Sequence, residues 1–213
     1  MKNGLTLTLE DDSMKLVIAS GNHKKREELE TLLAELDVEL LTLNDFPEAP
    51  EVVEDGTTFE QNACKKAREI ALYTAEYTMA DDSGLCVDAL DGRPGVRSAR
   101  YAGPNPTKRK LCSKLLAEME AVPDSERTAA FHCCTALASP DGAIDFTVSG
   151  ECEGTITRQM RGEHGFGYDP VFYNEKFGKT FAEMSADEKH SVSHRGKALE
   201  RFRAKLLEFV DLK

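Results

Sequence analysis

Long apolar runs, paired cysteines and an excess of basic charge are all missing from this 213-residue chain. No stretch approaches the ~20 consecutive apolar residues that cross a bilayer. The N-terminus also lacks the basic, apolar and small-residue succession of a secretory signal, so the expectation is a cytoplasmic protein with no membrane partner. The six cysteines stand at 64, 86, 112, 133, 134 and 152. With no C-x-x-C pair and no Cys/His ligand spacing, they read as reduced core thiols and not as a disulfide frame or a zinc site. Subtracting 38 acidic from 27 basic residues leaves a formal charge of -11. That balance speaks against a nucleic-acid partner, and a polyanionic ligand would need a local basic patch or a metal. Neither the P-loop sequence nor the Gly-rich dinucleotide fingerprint occurs, which removes both of those nucleotide-binding architectures.

What is present is a composition for a real core, 40% hydrophobic and 31% charged. Residues 1–13 are polar and form a loosely ordered extension, and Met14 opens the domain 14–213. Lys15 to Ser20 (KLVIAS) is a nearly continuous apolar strand of the sort buried on both faces of a sheet. After Gly21 and Asn22 the period changes: Leu29, Leu32, Leu33 and Leu36 mark one face of an amphipathic helix. Val38 to Leu43 reads as a second strand, and an acidic loop then leads to helical spacing from Phe59 to about Tyr73. Tyr77 to Ala80 reads as a short strand ending at Asp81 and Asp82. A helix follows over about 107–121, then strands over 129–138, 144–149 and 154–157, and one long final helix over about 186–210. The interleaving predicts an α/β protein with a mixed sheet, treated as one unit with two lobes around a cleft.

Four constellations carry chemistry. In SGNHKK, Ser20, Gly21, Asn22, His23, Lys24 and Lys25 lie between a strand and a helix N-terminus, where unpaired amides and the lysine charges suit a phosphate; an ordinary N-cap is the other reading. Lysines in a first turn oppose the helix dipole, which an anion there would relieve. In ADDSG, Asp81 and Asp82 repel each other unless a cation joins them, and with Glu54 they offer the hard oxygens that magnesium takes; an Asx turn is the alternative. In FGYDP, the Phe166, Gly167, Tyr168 and Asp169 segment can stack on a base and accept a ring N–H, or simply be a turn whose Phe packs inward. Lys189, His194 and Arg195 put three donors within a turn and a half of the last helix, for a phosphate or a carbonyl-bearing base edge, or else a solvated face. His132, within an apolar run, reads as a core imidazole.

Taken together and in order, these motifs resemble the inosine triphosphate pyrophosphatase family, with FEQNACKKA, PGVRSARYAG and FHC adding to the match from Met14 almost to the C-terminus. The resemblance implies an elongated mixed α/β sheet flanked by helices, two lobes around a nucleotide cleft, a homodimer and dependence on Mg2+. It implies hydrolysis of noncanonical purine triphosphates (ITP, dITP, XTP) to the monophosphate and pyrophosphate. Carried over by motif, Glu54 and Asp82 hold metal, Asp82 accepts the proton and Lys25 assists it. Ser20 to Lys25 bind the triphosphate, Lys66 faces the cleft, and Ser83, Phe166 to Asp169, Lys189, His194 and Arg195 contact substrate. Gln61 stands where bacterial members more often carry Glu. A catalytically silent nucleotide sensor and a nucleic-acid module are the other classes, the second disfavoured by the charge.

Overall fold

The computed structural model describes residues 13–21 and 23–211, and only the backbone at 23–25, 28 and 211. The extension over 1–13 therefore lies, apart from Ser13, outside the described residues. A single seven-stranded sheet runs through the molecule in the order β2-β1-β3-β4-β5-β6-β7. Its strands are β1 (Met14–Ile18), β2 (Val38–Thr42), β3 (Tyr77–Val87), β4 (Thr128–Ala138), β5 (Ile144–Ile156), β6 (Phe172–Asn174) and β7 (Lys179–Thr180). Helices α1 (His23–Leu32), α2 (Phe59–Thr74), α3 (Lys108–Glu118), α4 (Ala186–His190) and α5 (His194–Asp211) flank it. The mixed α/β sheet expected from the sequence is thus present.

Two helices sandwich the part of the sheet that holds β1. On one face α2 lays Ala63, Ala67, Ile70 and Ala71 against Val17, Ala80, Cys134, Ala136 and Ala138. Small residues meet small residues there, which brings the helix axis close to the strands. On the other face Leu199, Phe202 and Leu206 of α5 cover Leu16, Ile18, Met79 and Leu137. Leu16 and Val17 are fully buried on opposite sides, as a strand coated on both faces requires. A third core gathers Phe131, Phe172, Phe181, Leu115 and Met119 beneath the far ends of β3 to β5. All six cysteines are free thiols. Burial pushes Cys112 up to about 11 and Cys134 up to about 12, so both stay protonated and inert at neutral pH.

β3 departs from the sequence expectation in a way that matters for function. It does not stop at Ala80; it continues to Val87 and pairs antiparallel with β4 from Thr78↔Ala138 to Val87↔Ala129. On its other edge β1 pairs in parallel only through Met79. Asp81 and Asp82 therefore sit in the middle of a long strand at the point where its neighbour ends, and the ten-pair register with β4 overrides the local turn preference of Asp-Asp-Ser-Gly. Several backbone groups on that vacated edge find partners outside the sheet, as buried main chain must. Ala19 donates to the Met79 carbonyl at 2.9 Å and Val87 donates to the Arg93 carbonyl at 3.3 Å. Between them Lys66 Nζ donates to the Asp81 carbonyl at 2.9 Å, Ser83 N to Asp82 Oδ1 at 2.9 Å and Leu85 N to Ser98 Oγ at 2.9 Å.

Two further corrections concern continuity. The stretches 144–149 and 154–157 are one strand, because Gly150 and Gly154 are not turn residues. A Cβ at Gly150 would lie 2.1 Å from the His194 carbonyl oxygen, so this glycine lets the first turn of α5 rest directly on β5. The final helix is two helices: the Lys189 carbonyl accepts from Val192 and Ser193, closing α4, and Ser193 Oγ accepts from Gly196 N at 3.0 Å, starting α5 anew. Lys189 and His194 consequently belong to different helices, with buried Val192 anchoring the corner between them.

Candidate active site

The open edge of β3 is where the expected acidic residues come together. Asp82 is 9% exposed; its Oδ2 accepts from Asn62 Nδ2 at 2.8 Å and its Oδ1 from the Ser83 amide. Burial pushes the Asp82 carboxyl above the usual carboxylate range, the Asn62 bond opposes that rise, and the charge of Glu54 adds to it. Glu54, half-buried, is ion-paired with Lys66 Nζ, and the Glu54 carbonyl accepts from Arg100 at 3.0 Å. Glu54, Lys66, Asp81 and Asp82 thus form one constellation.

The acidic loop is held in place from α2. Thr58 caps the helix by accepting from Gln61 N at 3.1 Å, while Gln61 Oε1 accepts from Thr57 N at 2.8 Å and from Thr57 Oγ1 at 2.9 Å. Asn62 Oδ1 accepts from Gly56 N at 2.7 Å. Gln61 is accordingly a loop fastener, a task its amide oxygen performs as well as a carboxylate would. Asn62 was not singled out from sequence, although a polar residue on the Phe59, Ala63, Ala67, Ile70 face of a helix is a signal in itself. Its amide ties the loop to Asp82 with one side chain.

Asn62→Ala removes the bond that lowers the Asp82 pKa, so that pKa rises further. If Asp82 must be ionised to act, the acid limb of the pH–rate profile moves to higher pH. An unmoved limb would show that Asn62 does not tune this carboxyl.

Of the phosphate-binding turn, Ser20 and Gly21 lie at the end of β1, beside β3 through the pairing of Ile18 with Met79. Gly21 O accepts from Asn44 Nδ2 at 3.3 Å. Asn22 lies outside the described residues. The first turn of α1 begins at His23, and the side chains of His23, Lys24 and Lys25 lie outside the description.

The FGYDP loop divides its labour differently from the sequence expectation. Phe166 is 70% exposed and available for stacking, but Tyr168 is 2% exposed, with its hydroxyl donating to the Ser98 carbonyl at 2.9 Å. The Tyr168 side chain is thus packed in the core, and the Gly167 carbonyl accepts from Cys112 Sγ at 3.4 Å. The Asp169 side chain is buried as well. It is 2% exposed, and a single oxygen, Oδ2, accepts from Lys189 Nζ at 2.6 Å and Phe166 N at 2.7 Å. It positions the loop and the lysine. Gly165, at φ +70, passes so close that a Cβ would sit 1.9 Å from Asp169 Oδ2. Lys189 Nζ in turn lies 4.6 Å from the Phe166 ring centre, a cation on the exposed aromatic face.

His194 is 7% exposed and stacks on Phe131, with ring centroids 4.7 Å apart and planes 10° from parallel. Burial, then the charges of Lys189 and Arg195, push its imidazole down to about 3, so it is neutral. Its Nδ1 is buried with no hydrogen-bond partner among the described residues. A neutral ring with an unsatisfied nitrogen suits an uncharged base better than a phosphate. Asp81 and His132 act on His194 through their charges, which links this cluster to the β3 edge. Ser83 is exposed on that edge, and Arg195 is half-buried beside His194. His132 is not the core imidazole expected; its side chain is 35% exposed, with Nδ1 3.6 Å from Glu151.

Among the described residues no three His, Cys, Asp or Glu side chains stand together as a metal cage. Two carboxylates and a main-chain carbonyl at one open edge are instead a donor set that fits magnesium, which takes one or two carboxylates and leaves the rest to water and substrate phosphates.

Comparison with known proteins agrees in fold and motif. Residues 16–205 match the model of the Ham1 family. The dITP/XTP pyrophosphatase of Geobacter sulfurreducens is 52% identical over 185 residues, 87% of this chain and 92% of that protein. That of Desulforamulus reducens is 50% identical over 188 residues, 88% of this chain and 93% of the other. A solved HAM1 protein of Coxiella burnetii superposes with a TM-score of 0.87 at 42% identity, covering 92% of this chain and 99% of that one. The resemblance read from the motifs is borne out, and so is the mixed open sheet.

Proposed function

The chain belongs to the Ham1 family, and on that premise we propose that it is a hydrolase clearing dITP, XTP and ITP from the nucleotide pool, yielding the nucleoside monophosphate and pyrophosphate. The observation that carries this is the meeting of Glu54, Lys66 and a buried Asp82 on the vacated edge of β3.

In this reading Asp82 takes a proton from the water that attacks the α-phosphorus. Its raised pKa makes it a better proton acceptor than an ordinary carboxylate, and Asn62 and the Ser83 amide fix its orientation. The bond between α-phosphorus and the bridging oxygen breaks, and pyrophosphate leaves. Magnesium, held by Glu54 and Asp82 when bound, would mask phosphate charge. Lys25 and the amides following β1 would receive the triphosphate oxygens. Phe166 would stack on the purine, with Lys189, His194 and Arg195 at its edge. Hypoxanthine and xanthine carry an oxygen at C6 beside a protonated N1, where adenine reverses donor and acceptor. A site with donors toward O6 leaves adenine with unmatched groups at about 1–3 kcal/mol each.

We further propose a cytoplasmic homodimer that needs no nucleic acid. No helix among the described residues is long and apolar enough to span a membrane. The test is a panel of nucleoside triphosphates with and without magnesium, scored for pyrophosphate and orthophosphate. Pyrophosphate from dITP and XTP, little from ATP, and none after chelation is the expected result. Orthophosphate as first product would overturn the assignment, and a single-subunit mass in sedimentation would overturn the dimer.

A further inference from the structure

Lys66 does something at this site that a cleft lysine waiting for phosphate need not do. Its Nζ is not extended toward solvent; the side chain is 18% exposed and folded onto two hard oxygens. One is a carboxylate oxygen of Glu54, the other the Asp81 carbonyl at 2.9 Å. The ammonium also acts electrostatically on the Asp82 carboxyl, lowering its pKa against the burial that raises it. A monovalent cation thus stands among the same oxygens that would receive a divalent one. Its neighbour Lys65 is unlike it: that side chain pairs with Asp55 at 2.7 Å, with the Asp55 carboxylate largely in solvent.

We propose that the Lys66 ammonium is a placeholder for the metal, closing the Glu54 and Asp81 oxygens to a divalent cation until a triphosphate draws the lysine away. The inference rests on the assignment of Glu54 and Asp82 as metal ligands. Two positive groups do not share one small oxygen cage, so metal entry requires the lysine to leave. An ammonium paired with a single carboxylate is drawn off by an anion of higher charge, and the incoming triphosphate is one. Nucleotide and metal therefore enter together, and the free enzyme holds metal poorly. The device keeps a charged cation from waiting in an empty cleft with no substrate to act on.

Titration of nucleotide-free protein with Mn2+, followed by the electron paramagnetic resonance of unbound ion, tests this without reference to turnover. Lys66→Met is expected to bind Mn2+ about tenfold more tightly than the parent or better, within the range of ordinary coupling between two ligands. Adding Glu54→Gln cancels the gain, and Lys66→Arg retains the weak parental binding. Lys66→Gln serves as a second neutral variant should methionine disturb α2. Lys65→Met, which removes an equal charge one residue away, leaves the affinity within about twofold because its exposed pair is screened. An unchanged or weaker affinity in both neutral Lys66 variants overturns the placeholder, as does an equal gain from Lys65→Met. Absence of Mn2+ binding by every protein overturns the metal assignment and the placeholder together. Pyrophosphate release from dITP, scored on the same parental preparation, separates either failure from a failure of the hydrolytic assignment.

Discussion

Asp82→Asn is expected to lower dITP turnover by about 10²- to 10⁴-fold, the share that a positioned general base contributes. The same variant carries a stability signature of definite sign. Burial raises the carboxyl pKa in the folded protein above its unfolded value, so the folded state holds that proton more tightly. The associated stability is fully present below the unfolded pKa and is lost as pH rises through the folded one. Asparagine has no charge to bury, so the melting temperature of the variant gains on the parent as pH rises from about 4, the unfolded carboxyl value. Thermal melts from that pH upward, paired with turnover at neutral pH, decide the matter. Activity near the parental level would remove Asp82 from the chemistry, and a constant gap in melting temperature would contradict its burial as the cause of the shift.

Arg127→Met is expected to destabilise the fold substantially at a position outside the site. This guanidinium is 3% exposed, with Nε donating to the Ile156 carbonyl at 2.7 Å and its terminal nitrogens to Met119 at 2.7 Å, Thr157 at 3.0 Å and Val122 at 3.4 Å. It ties the turn after α3 to the end of β5. Burial pushes its pKa down, but an arginine stays charged, and each bond carries that charge. Methionine fills much of the volume and satisfies none of the carbonyls. Val122 keeps a bond from Arg158 at 3.1 Å and Met119 keeps one from Val122 N at 3.1 Å, so two acceptors, the Ile156 and Thr157 carbonyls, are left to find water. At about 1–3 kcal/mol for each unsatisfied buried group, a loss of roughly 2 kcal/mol or more is expected in urea unfolding. A loss under about 1 kcal/mol would mean that water replaces the guanidinium without strain.

Much of this was legible in the chain, and the failures share one cause. β1, α1 and α2 follow from apolar period alone, since their patterns are local. What local pattern could not supply was the partner of each segment. Asp81-Asp82-Ser83-Gly84 has the composition of a turn and became strand because β4 lies alongside it for ten residues. Gly150 and Gly154 look like interruptions, yet they stay in β5 because α5 and the Tyr173 carbonyl press against them. The end of α4 carries no Gly or Pro, so its local pattern is that of a continuous helix. At the site, the types of residue at Glu54, Lys66 and Asp82 were visible as motif chemistry, as was the exposed ring of Phe166. That the Tyr168 and Asp169 side chains turn inward was not legible, because a tetrapeptide does not reveal which of its side chains do so. Asn62 and Phe131 act by supporting another side chain, and that becomes apparent only when the supported group is located.

The alternation along β3 divides the strand that carries Asp82 between two kinds of guardian. The amides of Asp82 and Gly84 lie on the side of the β4 ladder, and those of Ser83 and Leu85 are held only by Asp82 Oδ1 and Ser98 Oγ. In deuterium exchange the first pair should open only with the whole molecule, whereas the second should open whenever the local side chains let go. Neighbouring amides on one strand would then serve as two clocks, one timing global unfolding and the other the breathing of the cleft. Substrate that stills the cleft would slow the second clock and leave the first unchanged.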